Sequence, residues 1–324
     1  MDESEDWAFP LDQQPQTADV NFDLAAALDA VVQLRAEVPA DAYTASILGT
    51  GRQGNGVVIR EDGLTLTIGY LITEASAVWL ASNHGEAVAA YPLAYDQVTG
   101  FGLVQPLGHF DVPALPLGSA SACAIGDEAI VISHGGQAHA LKARVLAKHE
   151  FAGYWEYVLD EAVFTTPAHP QWAGAALIDH AGRLLGIGSL LVQAVEGTDA
   201  VNANMIVPID LLAPIYNDLL ATGNARRAPR PWLGMYTSES DGKLIVVGVA
   251  DKGPADQAGV RQGDVVTEVA GQRVESLATM FRSVWGLGPA GTEIVLTLSR
   301  GGDLLHKRLK SADRGSFLKK PSLH

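Results

Sequence analysis

The chain has 324 residues, a length for about two domains, and is 48% hydrophobic and 18% charged, which is ample material for packed cores. A formal net charge of -15 argues against a nucleic-acid-binding surface and reads as solubility. Cys123 is the only cysteine, so neither an intramolecular disulfide nor a cysteine-based zinc site is available.

The first twenty residues, MDESEDWAFPLDQQPQTADV, are polar and acidic with two prolines, and predict a disordered acidic tail. They lack an apolar signal-peptide core, which predicts a cytoplasmic location for the chain as written and a periplasmic one if a leader was removed. The longest apolar run, LLGIGSLLVQAV from Leu184, is too short to span a bilayer and is broken by Gly and Ser.

Short strand-like runs follow: AVVQLRAEV, then GVVIR (56–60), LTLTIGYLI (64–72), AVWLAS (77–82), FGLVQPL (101–107), EAIVIS (128–133), KARVLAKHE (142–150), EYVLDEAVFTT (156–166), AALID (175–179) and LLGIGSLLV (184–192). Turn signals at Asp62-Gly63, Asn83-His84-Gly85, Gly135-Gly136 and His180-Ala181-Gly182 separate them, the pattern of a β-barrel or sandwich. PIDLLAPIYNDLLATG closes this region as a helix, with Leu211, Leu212, Ile215 and Leu219 on a helical period and Gly223 as its stop. NARRAPRP (224–231) reads as a linker. Beyond it WLGMYT, KLIVVGV and EIVLTLSR read as strands, and GPADQAGV and ESLATMFRSVWGLG as helices, making a small mixed domain over 232–311 before a basic tail over 312–324.

Two segments carry a family resemblance. GPADQAGVRQGDVV resembles the core pattern of a bacterial-type PDZ domain: Pro254 opens a helix, Gly259 ends it, and Gly263-Asp264 turns into a strand with Val265 and Val266 buried. GNGVVIREDGLTLTIGYLITEASAVWLA, AYDQVTGFGLVQPL, VPALPLGSASACAIGDEAIVIS and TTPAHPQWAGAALIDHAGRLLGIGS resemble, in order, stretches of the trypsin-like domain of HtrA/Deg serine proteases, and ANMIVPIDLL resembles the run that ends it. The resemblance implies a mainly β chain: a trypsin-like double β-barrel over 21–223, then a small α+β PDZ domain over 232–311.

It also places the family's catalytic histidine at Tyr70, its aspartate at Gly100 and its serine at Ala173. Nucleophilic catalysis needs a hydroxyl or thiol beside a base; a methyl group, a phenol and a bare glycine do not supply that pair. The oxyanion-hole glycine falls at Gln171, followed by Trp172, and a Cβ there restricts the backbone that aims the N–H. The expectation is a chain that is not an enzyme, a pseudoprotease acting as a peptide- or protein-binding scaffold. The alternative is a serine-type endopeptidase of the HtrA family with a non-standard active site.

Elsewhere, Ser133-His134 and Asp179-His180 read as turn and edge polar residues, Glu61-Asp62 and Asp160-Glu161 as solvated turn charges. GTGRQG (49–54) fits a nucleotide-loop pattern but precedes a strand and not a helix. No cofactor and no metal site are expected.

The PDZ resemblance implies capture of a C-terminal or extended peptide as an added strand, with the carboxylate in a nest of backbone N–H groups. The residues it implies are Trp232, Leu233, Gly234, Met235 and Tyr236, with Met280 on the facing helix. The family implies a homotrimer or mixed oligomer with active subunits, for which Trp7 and Phe9 are candidate contacts.

Overall fold

The computed structural model describes residues 7–320. Contacts divide the chain into two compact units: one holds the residues up to His149 and Glu161–Ala225, the other Glu150–Asp160 and Arg226–Lys319.

The first unit contains two closed six-stranded barrels. The first has strands β1 (Val31–Glu37), β2 (Gly51–Val58), β3 (Thr65–Ile68), β4 (Ala77–Ala81), β5 (Ala87–Tyr95) and β6 (Phe101–Pro106), in the order β1-β2-β3-β6-β5-β4. Alternation sets the strand faces: in β1, Leu34 and Ala36 are buried while Arg35 and Glu37 face out. Pairing of β1 with β4, from Gln33 opposite Ala81 to Glu37 opposite Ala77, closes the cylinder. Leu34, Leu64, Leu66, Leu80, Phe101 and Leu103 fill it.

The second barrel has β7 (Glu128–Ile132), β8 (Ala140–Gly153), β9 (Tyr157–Thr166), β10 (Ala176–Ile178), β11 (Leu184–Glu196) and β12 (Asp199–Pro208), in the order β10-β11-β12-β9-β8-β7. It closes where Ala176 and Ile178 of β10 face Ile132 and Ile130 of β7. Helices α1 (Leu24–Asp29) and α2 (Ala45–Leu48) precede β1 and β2, and α3 (Tyr216–Thr222) ends the unit at Gly223 in the left-handed region.

In the second unit β13 (Met235–Ser240), β14 (Lys243–Val249), β15 (Val265–Val269), β17 (Glu293–Arg300) and β18 (Asp303–Lys310) form an antiparallel sheet in that order, with β16 (Gln272–Arg273) paired to β15. Helix α4 (Pro254–Gln257) starts on its proline and the chain leaves it through Gly259 at φ +71°. Helix α5 (Leu277–Gly286) is capped by the Ser276 side chain, which accepts from Thr279 N–H. Its Leu277, Met280, Phe281 and Val284 lie in one core with Leu244, Val246, Val266 and Leu296.

The chain is thus mainly β, a double β-barrel followed by a small α+β domain, as the resemblance implies. Several local expectations are corrected. The part of the expected acidic tail from Trp7 onward is bonded to the barrel: Phe9 N–H donates to Ala138 O at 3.0 Å, and Lys142 N–H to Gln13 O at 2.8 Å. Residues 1–6, and 321–324 of the expected basic tail, lie outside the described residues. Pro229 of the expected linker accepts from Ala290 N–H, and the Arg230 guanidinium lies 4.0 Å over the Trp285 ring. Phe317 of the tail packs against Trp232. The run 64–72 is strand only to Ile68, because Gly69–Leu71 tightens into a 3-10 turn. Val266 is buried but Val265 only half so. Ser133 is fully buried and not an edge residue, and Asp160 and Glu161 sit within β9, paired with Arg282 and Lys148. β5, β12 and β18 were not foreseen as strands.

Candidate functional site

Tyr70 sits in the 3-10 turn that follows β3. Arg52 holds this turn from inside, donating from Nη1 to the carbonyls of Tyr70 at 2.7 Å and Thr73 at 2.9 Å. Its Nη2 donates to Thr44 Oγ1, which in turn donates to the buried Glu74 carboxylate. The Tyr70 hydroxyl donates to Ser189 O at 2.8 Å. Burial pushes this phenol far above its usual range, so it stays a neutral donor.

Gly100 adopts φ +85° and closes a tight turn: its N–H donates to Asp96 O and its carbonyl accepts from Gly69 N–H at 2.7 Å. The Tyr70 and Gly100 segments are therefore adjacent. Ala173 meets the same region from the second barrel. Its carbonyl accepts from Asn55 N–H at 2.8 Å and from Asn55 Nδ2 at 3.0 Å. Gly174, at φ +78°, must be glycine, because a Cβ there would lie 1.9 Å from Asn55 O.

The Gln171 N–H, which the resemblance assigns to the oxyanion hole, donates to His169 Nδ1 at 3.0 Å. Nε2 of that ring therefore carries the proton and donates to His139 O at 2.9 Å. Burial depresses the His169 pKa to about 4. The Gln171 side chain accepts from Ser133 Oγ at 3.0 Å, and the Gly174 N–H is taken by Gly188 O. Trp7 stacks on His139 with centroids 4.4 Å apart, and Phe9 meets the His169 ring edge-on at 5.0 Å. Trp7 and Phe9, candidates for an oligomer contact, thus pack within the chain because two imidazoles offer them ring faces and edges. Asn55 and His169 organise the site without having been singled out. Their signals were a polar residue inside the apolar GNGVV run and a histidine between two prolines.

The second unit holds a different centre. Leu233, Gly234 and Met235 turn their N–H groups to one point, where they donate to the Glu156 carboxylate at 3.1, 2.9 and 3.3 Å. Gly234 at φ +70° allows that turn. Trp232 backs the loop: it exchanges backbone hydrogen bonds with Ala312, and its ring lies under Gly234. Tyr236 meets Tyr154 edge-on, and Met280 is buried in the core. Glu156 also escaped the sequence reading. The aromatic-rich tip GYWEY was its only signal.

The trypsin-like peptidase domain family matches residues 54–187, and the PDZ domain family matches 231–310. A trypsin-like peptidase domain thus precedes a PDZ domain in the chain. It is 24% identical over 268 residues to a probable periplasmic serine endoprotease DegP-like of Chlamydia trachomatis, covering 77% of this chain and 52% of that one. It is 23% identical to the serine endoprotease DegS of Haemophilus influenzae, covering 78% of this chain and 74% of that one. The chain spans about half the length of the DegP-like relatives it matches. Among solved structures, a serine endoprotease from Yersinia pestis superposes with a TM-score of 0.52 at 22% identity over 91% of this chain and 99% of that one. The HtrA-type protease AlgW with tripeptide superposes at 0.51, with 19% identity over 93% and 99%. These relatives overturn the expectation that the chain is not an enzyme, since the proteins it resembles are named serine endoproteases. Among the described residues, no helix is long and apolar enough to cross a membrane.

Proposed function

We propose that the chain handles polypeptides, its PDZ domain capturing the C-terminus or an extended segment of another protein. The observation that carries this reading is the convergence of the Leu233, Gly234 and Met235 N–H groups on a single carboxylate. A nest of backbone donors next to the start of β13 suits a terminal carboxylate whose chain then adds to the sheet edge. Leu233, Gly234, Met235 and Tyr236 form this capture edge, with Met280 on the facing helix and Trp232 as its support.

Serine-type endopeptidase activity is the reading that the relatives' names support. Such activity runs through a non-standard centre in this chain, because Tyr70, Gly100 and Ala173 occupy the positions that the resemblance assigns to the triad, and Gln171 the oxyanion position. The names of the DegP-like relatives likewise support a periplasmic location. Overnight incubation with an unfolded, fluorescently labelled protein tests the chemistry. Cleavage that scales with the chain and disappears when Ser133 and Ser189 are changed to alanine supports a non-standard nucleophile. Absence of cleavage above buffer leaves peptide capture as the activity.

A further inference from the structure

We propose that Glu156 is a built-in ligand of the PDZ carboxylate loop, and that the Glu150–Asp160 tip excludes outside peptides until it is displaced. This proposal rests on the capture reading and names the regulation of that same site.

The tip between β8 and β9 reproduces what an added peptide must do. Both Glu156 oxygens accept from Leu233 N–H, and Oε1 accepts also from Gly234 and Met235. Two residues back, Tyr154 O accepts from Thr237 N–H at 3.1 Å, two residues further along β13. The tip is the turn that joins β8 and β9, and it reaches the start of β13 through one backbone carbonyl and one side-chain carboxylate. Two residues beyond Glu156, Val158 enters the apolar core that contains Leu233, Met235, Met280 and Phe281. Carboxylate nest, strand edge and apolar pocket are thus all engaged by one short piece of this chain.

Further contacts hold the tip. Arg282, on α5 across the groove, pairs with both Glu150 and Asp160 at the two roots of the tip. Arg314 donates to Trp155 O at 3.3 Å. Glu156 itself adopts φ +63°, in the turn that joins β8 and β9. An outside ligand must bring the same chemistry: a free carboxylate, an extended backbone and an apolar side chain.

The test uses the full chain and a fluorescein-labelled decapeptide library with free apolar C-termini, alongside the same library amidated. Anisotropy is read for wild type, Glu156→Ala and Arg282→Ala, each checked for folding by circular dichroism. If the tip is docked in at least nine-tenths of molecules, Glu156→Ala tightens free-carboxylate binding by about tenfold or more, with Arg282→Ala shifting it in the same direction. Equal binding by all three proteins overturns the self-ligand and leaves capture standing. Binding by none of the three, with folded variants, overturns the capture reading and this proposal with it. Tightening that is the same for amidated peptides also overturns the proposal, because the site freed is then not the carboxylate nest.

Discussion

The Tyr70 hydroxyl donates to the Ser189 carbonyl across the two barrels at 2.8 Å. The phenol does structural work where the resemblance places an imidazole, tying the turn after β3 to the middle of β11. Tyr70→Phe removes the donor, leaves Ser189 O unsatisfied and is expected to cost about 1 kcal/mol of stability. Urea denaturation of the two proteins checks this, and an unchanged midpoint would show that water takes over the bond.

His169 sets a pH dependence of definite sign. Its folded pKa, about 4, lies below the unfolded 6.5 because burial disfavours the imidazolium. The native state then binds fewer protons, so the contribution is present above pH 6.5 and is lost as pH falls toward 4. The full span is on the order of 3 kcal/mol. Urea midpoints at pH 7 and pH 4.5, compared with His169→Gln, should show a smaller acid loss in the variant.

Glu156 runs the other way. Burial pushes its carboxyl up to about 7, against the lowering by the three loop N–H groups and by Arg314. Arg314 is the charged group acting on it; Arg282 on α5 is engaged by Glu150 and Asp160. The docked tip therefore holds a proton that the undocked tip releases. This contribution is fully present below about pH 4.5 and is lost as pH rises through about 7. Peptide capture by wild type, relative to Glu156→Gln, should strengthen by up to about tenfold between pH 6 and pH 8. A constant ratio between the two proteins across that range would remove the linkage.

Asp264 is 1% exposed and fixes the turn into β15. Its oxygens accept from Arg261 N–H at 2.9 Å and from two Arg300 nitrogens at 2.6 and 2.8 Å. Hydrogen bonding from Arg300 holds its pKa below the usual carboxylate value. Asp264→Ala strands the guanidinium and should destabilise the second unit by about 3 kcal/mol, since one end of the pair is dry and the other partly wet. Thermal melts of the two proteins, followed at the near-ultraviolet band of the tryptophans, read this directly.

Much of the architecture is written locally. The alternation of VVQLRAE, the proline and glycine that bracket PADQ, and the serine that caps LATMFRSVWG each state an element within a few residues, because strand and helix periods are short-range properties. The loop from Leu233 to Met235 was pointed to by the resemblance to a PDZ domain, and the structure adds that Gly234 there is left-handed. The identities of Tyr70, Gly100, Gln171 and Ala173 were equally plain in the chain. What those residues touch was not, since Tyr70 meets Ser189 and Ala173 meets Asn55 across more than a hundred residues. β12 and β18 were missed too, because β12 is exposed in its first half and buried without alternation in its second, and most of β18 carries too few buried side chains to signal alternation.

By itself the sequence determined the mainly β fold class and the order of the two domains, because the short motifs that carry the resemblance are read along the chain. Only the tertiary structure decided that Trp7 and Phe9 pack on histidines, that His169 takes the Gln171 N–H, and that Glu156 accepts from the Leu233, Gly234 and Met235 N–H groups. Each of these brings a side chain to backbone or ring partners far away in the chain, and such partners are chosen by where the barrels and the sheet place them.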